Sequence, residues 1–143
     1  MQPGVSEILN KVSKLKKEQE KIDELQRNKC PALLTILQGA FDDRIKWLLP
    51  EGVPPYRPNP APETHNVLHS EIRKMYLFVE GGNPNLKQVR REALFIEMLE
   101  SVHHEDAKVL LHIKEKKTPV KGLTKDIVNK AFPGLCEIGR AHV

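Results

Sequence analysis

Six of the chain's eleven prolines, Pro50, Pro54, Pro55, Pro58, Pro60 and Pro62, fall within thirteen residues. Proline lacks an amide hydrogen and holds φ near about −65°, so residues 50–62 can form neither a helix nor a central strand. They must run extended, largely in the polyproline conformation, because the residue before each proline is pushed the same way. The stretch therefore divides the chain into two parts joined by one crossover. Trp47, the only tryptophan, stands at its border and Tyr56 lies inside it. These aromatic rings have two destinations: the protein's own helices, with the loop wrapped over the third of them at low entropic cost, or a partner protein anchored by Trp47 and Tyr56.

On either side of the prolines the apolar spacing is helical. Val5, Ile8, Val12, Leu15, Ile22 and Leu25 predict one amphipathic helix over 5–27. Its other faces carry Lys11, Lys14, Lys16, Lys17, Glu18, Glu20, Lys21, Asp23 and Glu24, which leaves it free to protrude. Pro31 and Gly39 bracket a short buried helix over 32–38. Leu68, Ile72, Met75, Tyr76 and Val79 predict a third over 66–79, broken by Gly81-Gly82-Asn83-Pro84. A fourth, capped by Asn85 and Gln88, turns Leu86, Val89, Ala93, Ile96, Leu99 and Val102 to the core. Glu105 and Asp106 favour the start of a fifth that runs to about Glu115. Thr124 caps a sixth over 125–131, which Pro133-Gly134 closes. No alternating run asks for a strand. The expectation is an all-α fold: a single small helical domain of about six helices over residues 1–136 with a proline-rich crossover loop.

Of 143 residues, 23 are Lys or Arg and 19 Asp or Glu, a net charge of +4. That charge is uneven. Residues 11–29 hold seven basic and four acidic side chains, residues 30–107 eight and eleven, and residues 108–130 seven and two. The last stretch contains Lys108, Lys114, Lys116, Lys117, Lys121, Lys125 and Lys130 on two helices and the loop between them. Such a cluster can meet the phosphates of DNA or RNA, or another polyanion. Lysine without arginine suits phosphate charge better than base reading. The same composition also describes a solvated face that keeps the chain dispersed.

Other classes are disfavoured. The apolar runs are far shorter than the roughly 20 residues a membrane helix needs, and no basic n-region feeds an apolar segment at the start. With only Cys30 and Cys136 there is no disulfide framework, so a reducing cytoplasm is expected. His65 and His69 share a helix face, and His103, His104, Glu105, Asp106 and His112 gather ligand-capable types. Yet the cysteines usual in structural zinc sites are absent, and capping explains the acids. No metal or other cofactor is expected. There is no Gly-x-Ser-x-Gly and no P-loop. The adjacent carboxylates Asp42-Asp43 and Glu105-Asp106 are not facing acid/base pairs, so a non-enzymatic protein is expected.

The segment Glu137-Ile138-Gly139-Arg140-Ala141-His142-Val143, read as codons xAG-ATC-GGA-AGA-GCA-CAC-GTC-TGA, resembles the common short-read sequencing adapter with its stop after Val143. It is read as non-native and set aside, which points to an assembled environmental source. Several strings in consistent order carry a further resemblance: Phe41-Asp42-Asp43 through Trp47, Leu49-Pro50-Glu51-Gly52-Val53-Pro54-Pro55-Tyr56, Met98-Leu99-Glu100-Ser101 through Leu110, and Lys117-Thr118-Pro119-Val120-Lys121-Gly122-Leu123-Thr124 through Leu135. Over about residues 8–135 the chain resembles a family of small uncharacterised proteins of T4-like phages of marine bacteria. That resemblance implies a phage protein acting in a bacterial host's cytoplasm. It transfers no site residues.

Overall fold

The computed structural model describes residues 3–61 and 66–136. The readings of Glu137–Val143, of His65 and of Pro62 lie outside these residues.

Among the described residues seven α-helices follow in order: α1 (Val5–Lys14), α2 (Glu18–Arg27), α3 (Pro31–Phe41), α4 (Val67–Glu71), α5 (Gln88–Ser101), α6 (His104–Lys114) and α7 (Lys125–Ala131), with a 3₁₀ segment over Ile72–Phe78. The described residues contain no strand, only two isolated bridges. The fold is all-α, as expected.

The single N-terminal helix expected over 5–27 is two helices, and it does not protrude. Val5, Leu9, Val12 and Leu25 are fully buried. The break at Leu15–Lys17 falls where the apolar stripe lapses, between Leu15 and Ile22. An unbroken helix of that length would reach about 35 Å. Broken, it lays α1 on α6 and α2 on α7. Glu24, assigned by its spacing to the solvent face, is buried between the two helices. Its carboxylate takes hydrogen bonds from Arg27 and Asn28 and faces the Lys11 ammonium at 3.4 Å.

At the centre lies α6, which contacts α1, α3 and α5. Ala107, Val109, Leu110 and Ile113 are buried, and a helix apolar on most sides is one enclosed by others. The helix expected over 66–79 is shorter and tighter: five α-helical residues, then 3₁₀ turns that end at Phe78. Tyr76 turns out to solvent.

In α5 the core face is Arg91, Phe95, Met98 and Leu99. The stripe expected to face inward is displaced: Leu99 and Val102 are buried, Leu86, Ala93 and Ile96 only half-buried, and Val89 is 83% exposed. The helix also starts two residues later than expected, with Lys87 rather than Asn85 as its N-cap. Buried Arg91 explains the rotation, because its guanidinium donates to the carbonyls of Leu77 (3.0 Å) and Leu86 (3.2 Å) and so pins the preceding turn.

The proline-rich segment is a strap along the α5–α6 hairpin rather than over the third expected helix. Near the C-terminus of α6, Lys114 Nζ donates to the Pro50 carbonyl at 2.9 Å and the Gly52 amide donates to Glu115 at 3.0 Å. Farther along, the Arg57 amide donates to Glu100 (2.9 Å), Asn59 Nδ2 donates to the Ser101 carbonyl (3.0 Å), and Asn59 bridges to His103. The strap thus runs antiparallel to α6.

Candidate nucleic-acid interface

The seven lysines of 108–130 are carried by α6, its C-terminal turn and α7, and the fold sorts them into two groups. Lys114 ends the buried face of α6, with 2% of its side chain exposed. Its ammonium is held by the Pro50 carbonyl and the Glu115 carboxylate. Those contacts satisfy a cation that would otherwise be costly to bury. The Lys114 hydrogen bond is the main reason the Glu115 carboxyl lies below its usual range, helped by the Gly52 amide. Lys114 is therefore removed from the surface cluster that its spacing suggested.

Lys116 is the second departure. Its backbone is left-handed, φ 58°, the one such non-glycine residue among those described. It closes α6, with its amide on the Ile113 carbonyl and the Lys117 amide on the His112 carbonyl. Glycine normally takes this position because a Cβ is strained there. The reason for lysine is its reach. Nζ donates to the carbonyls of Gly39 (2.9 Å) and Asp42 (2.7 Å), so it caps the C-terminus of α3 with a positive charge. Partial burial lowers its pKa, opposed by the carboxylates of Asp42 and Asp43.

The other five remain at the surface. Lys108 pairs with Glu105 at 3.3 Å, Lys125 with Asp43 at 3.0 Å, and Lys130 with Glu18 at 2.7 Å and Asp126 at 3.2 Å. The Lys130 pKa is raised by its hydrogen bonds to Glu18 and Asp126. Lys117 and Lys121 are exposed and form no ion pair among the described residues. Beside Lys121, the Gly122 carbonyl accepts from Lys21 of α2 at 2.8 Å, which brings a lysine from the other basic stretch to this turn. Lys108 and Lys117 also rim an open groove of about 710 Å³ between α6 and the strap, with Leu111, His112 and Val53 in its walls.

Trp47 and Tyr56 are half-buried against the core. The Trp47 indole N–H donates to the Gly39 carbonyl at 3.0 Å, so one oxygen receives both Trp47 and Lys116. The ring lies so close that a Cβ at Gly39 would sit 2.8 Å from Trp47 Cζ2. Gly39 is thus inside α3, not the stop beyond it, and Asp42 ends the helix. Trp47 is further fixed by a bridge to Val79, with the Leu48 amide on the Phe78 carbonyl at 2.8 Å. Trp47 therefore packs on the protein's own helices.

Among the described residues no group of three or more His, Cys, Asp or Glu could hold a metal ion. His103 is the N-cap of α6, its Nδ1 accepting from the Glu105 amide at 3.1 Å, and its ring stacks on His104 at 4.2 Å. Asp106 is buried and accepts from the Ser6 amide at 2.9 Å, so it serves the N-termini of α6 and α1 together. His69 meets the Pro3 carbonyl at 3.0 Å. Cys136 has its thiol pushed up to about 11, chiefly by burial and then by Asp42, which removes thiolate reactivity near neutral pH. The buried carboxylate of Asp42 is chelated by Arg44 through two side-chain bonds of 3.1 and 2.7 Å.

Spacing alone could not reveal Lys116 and Arg91 as anchors, because their partners are backbone carbonyls of other segments, and Glu24 is buried because a second helix, carrying Lys11, folds against its own. The one local signal was Lys116-Lys117 directly after a helix end, where a residue of positive φ is common.

Fold and surface together define a small all-α domain: a central helix strapped by a proline-rich segment and bordered by surface lysines. The chain belongs to a family of unknown function (DUF6433), whose profile matches residues 8–119. That span runs from α1 through the strap and α6 into the turn beyond it. No curated protein matches the chain. Among the described residues no helix is long and apolar enough to cross a membrane.

Proposed function

We propose that this chain is a non-enzymatic phage accessory protein that binds nucleic acid or another polyanion in the cytoplasm of a bacterial host. The phage and host parts of this reading rest on the resemblance of its sequence strings to proteins of T4-like phages. The binding part rests on one observation: Lys117 and Lys121 are exposed without ion pairs among the described residues, on the turn that joins three further surface lysines. The acids that face those three do not close the site. Lys108, Lys125 and Lys130 keep 43–62% of their side chains exposed, and surface pairs of this kind contribute about 0–1 kcal/mol. A phosphate can exchange with such a carboxylate at little cost. Lysine supplies point charges rather than the planar fork that reads guanine, so the binding favours backbone over sequence.

In the test, labelled DNA and RNA oligonucleotides are titrated against the wild-type chain and a Lys117→Glu/Lys121→Glu double variant at low salt. The proposal expects the wild type to bind both with little sequence preference and the variant to lose binding with its helical content unchanged. No binding by the wild type, or equal binding by both, would overturn it.

A protein partner is the second reading. It is favoured by Val53, which the strap holds 70% exposed beside the groove. With Trp47 committed to Gly39, Val53→Asp is the cleaner probe of that surface. If Val53→Asp leaves binding of an isolated partner intact, the strap reading fails.

A further inference from the structure

Helix α5 places its charges against its own dipole. Its first turn holds no acid and its last turn no base. Instead Lys87 and Arg90 stand at the N-terminal half and Glu97 and Glu100 at the C-terminal half. An isolated helix prefers the reverse. Between these charges lies an apolar surface opposite the core face: Val89 is 83% exposed, and Ala93 and Ile96 are half-buried. Within one chain, Arg90 and Glu97 meet only at 3.8 Å, with 61% and 64% of their side chains exposed.

We propose that this face is where a second copy of the chain docks, α5 against α5 and antiparallel about a two-fold axis beside Ala93. Such an axis makes the same patch serve both partners. The pairs Arg90–Glu97 and Lys87–Glu100 are both centred between Ala93 and Leu94, so one axis sets each base against the partner's acid. It also sets the two helix dipoles antiparallel, each N-terminus beside the partner's C-terminus, which offsets the unfavourable charge order within each helix. Ala93 at the crossing lets the backbones approach, with Val89 and Ile96 packing beside it. Next to Ile96, a hollow of about 210 Å³ bordered by Pro54, Pro55 and Val53 of the strap extends the apolar surface. A helix of 14 residues gives a contact at the small end of specific interfaces, so the dimer is weak and concentration-dependent.

Sedimentation equilibrium from micromolar to millimolar concentration tests this with charge reversals. The wild type is expected to dimerise, and Arg90→Glu or Glu97→Arg alone to weaken the dimer by roughly tenfold or more. Mixing the two variants should restore association, because each supplies the charges the other lacks although both have lost the intrachain pair. Val89→Ser should also weaken the dimer with far-UV circular dichroism unchanged, a check that does not involve charge. A monomeric wild type over the whole range, a dimer indifferent to either reversal, or a mixture no more associated than its components would each overturn the proposal.

Discussion

Between Trp47 and Ala61 the chain carries only two charged side chains, Glu51 and Arg57, yet it is held along its length by polar contacts. Between Lys108 and Lys130 it carries nine charges, and most face water. The strap is secured mainly by hydrogen bonds between its backbone and side chains of α6 and α5, Lys114, Glu115 and Glu100 among them. Proline removes the competing helical state and lowers the entropy lost on ordering. The basic segment divides its labour instead. Lys114 and Lys116 act as anchors for the strap and for α3, whereas Lys117, Lys121, Lys108, Lys125 and Lys130 remain available. Neighbouring residues of one type thus play different parts, and what separates them is whether the ammonium group is held by backbone carbonyls of another segment.

Lys114→Ala should break this division most severely. It strips the Pro50 carbonyl of its donor and leaves Glu115 without its main partner, at a cost of about 3 kcal/mol. Thermal or urea unfolding would register that loss, with faster hydrogen exchange at the Gly52 amide. Stability within the error of the wild type would show that the strap does not depend on Lys114.

At Lys116 the effects partly oppose each other. Lys116→Ala loses the contacts to Gly39 and Asp42 while keeping a Cβ at positive φ, so a loss of about 1–2 kcal/mol is expected. Lys116→Gly loses the same contacts but relieves the backbone, and should be about 1 kcal/mol more stable than the alanine variant. Equal stability of the two variants would contradict the strained turn.

The smallest effect is one of pH. Because the Glu115 carboxyl is lowered in the folded chain, its contribution is complete above the ordinary carboxylate pKa of 4.5 and is lost as pH falls through the folded value. Glu115→Gln should flatten stability against pH below about 4.5 and leave the neutral-to-alkaline limb unchanged. An unaltered acid limb would separate Glu115 from the strap.

Much of this architecture was readable in the chain. Thr124 capping α7, the acidic start of α6, Pro31 opening α3 and the extended proline segment are local signals, and each appears where the residues imply. What failed depended on remote partners. The stripe from Val5 to Leu25 lapses after Leu15 but resumes in phase at Ile22, so spacing admits one helix or two; packing of α2 on α7 decides it. Val89 and Ile96 fit a core stripe until Arg91 turns α5. At the basic surface, spacing identified the segment but not its division, since nothing local separates Lys116, which reaches α3, from Lys117, which does not.

The salt dependence of nucleic-acid binding tests the central claim most directly. Binding through Lys117 and Lys121 alone predicts a slope of log K against log salt of about −2, and recruitment of Lys108, Lys125 and Lys130 steepens it to about −4.5. Lys117→Ala and Lys121→Ala should each reduce the slope by about one while changing stability by less than about 0.5 kcal/mol. Binding that ignores salt, or a slope unchanged by both substitutions, would contradict the assignment of these lysines to function and of Lys114 and Lys116 to the fold.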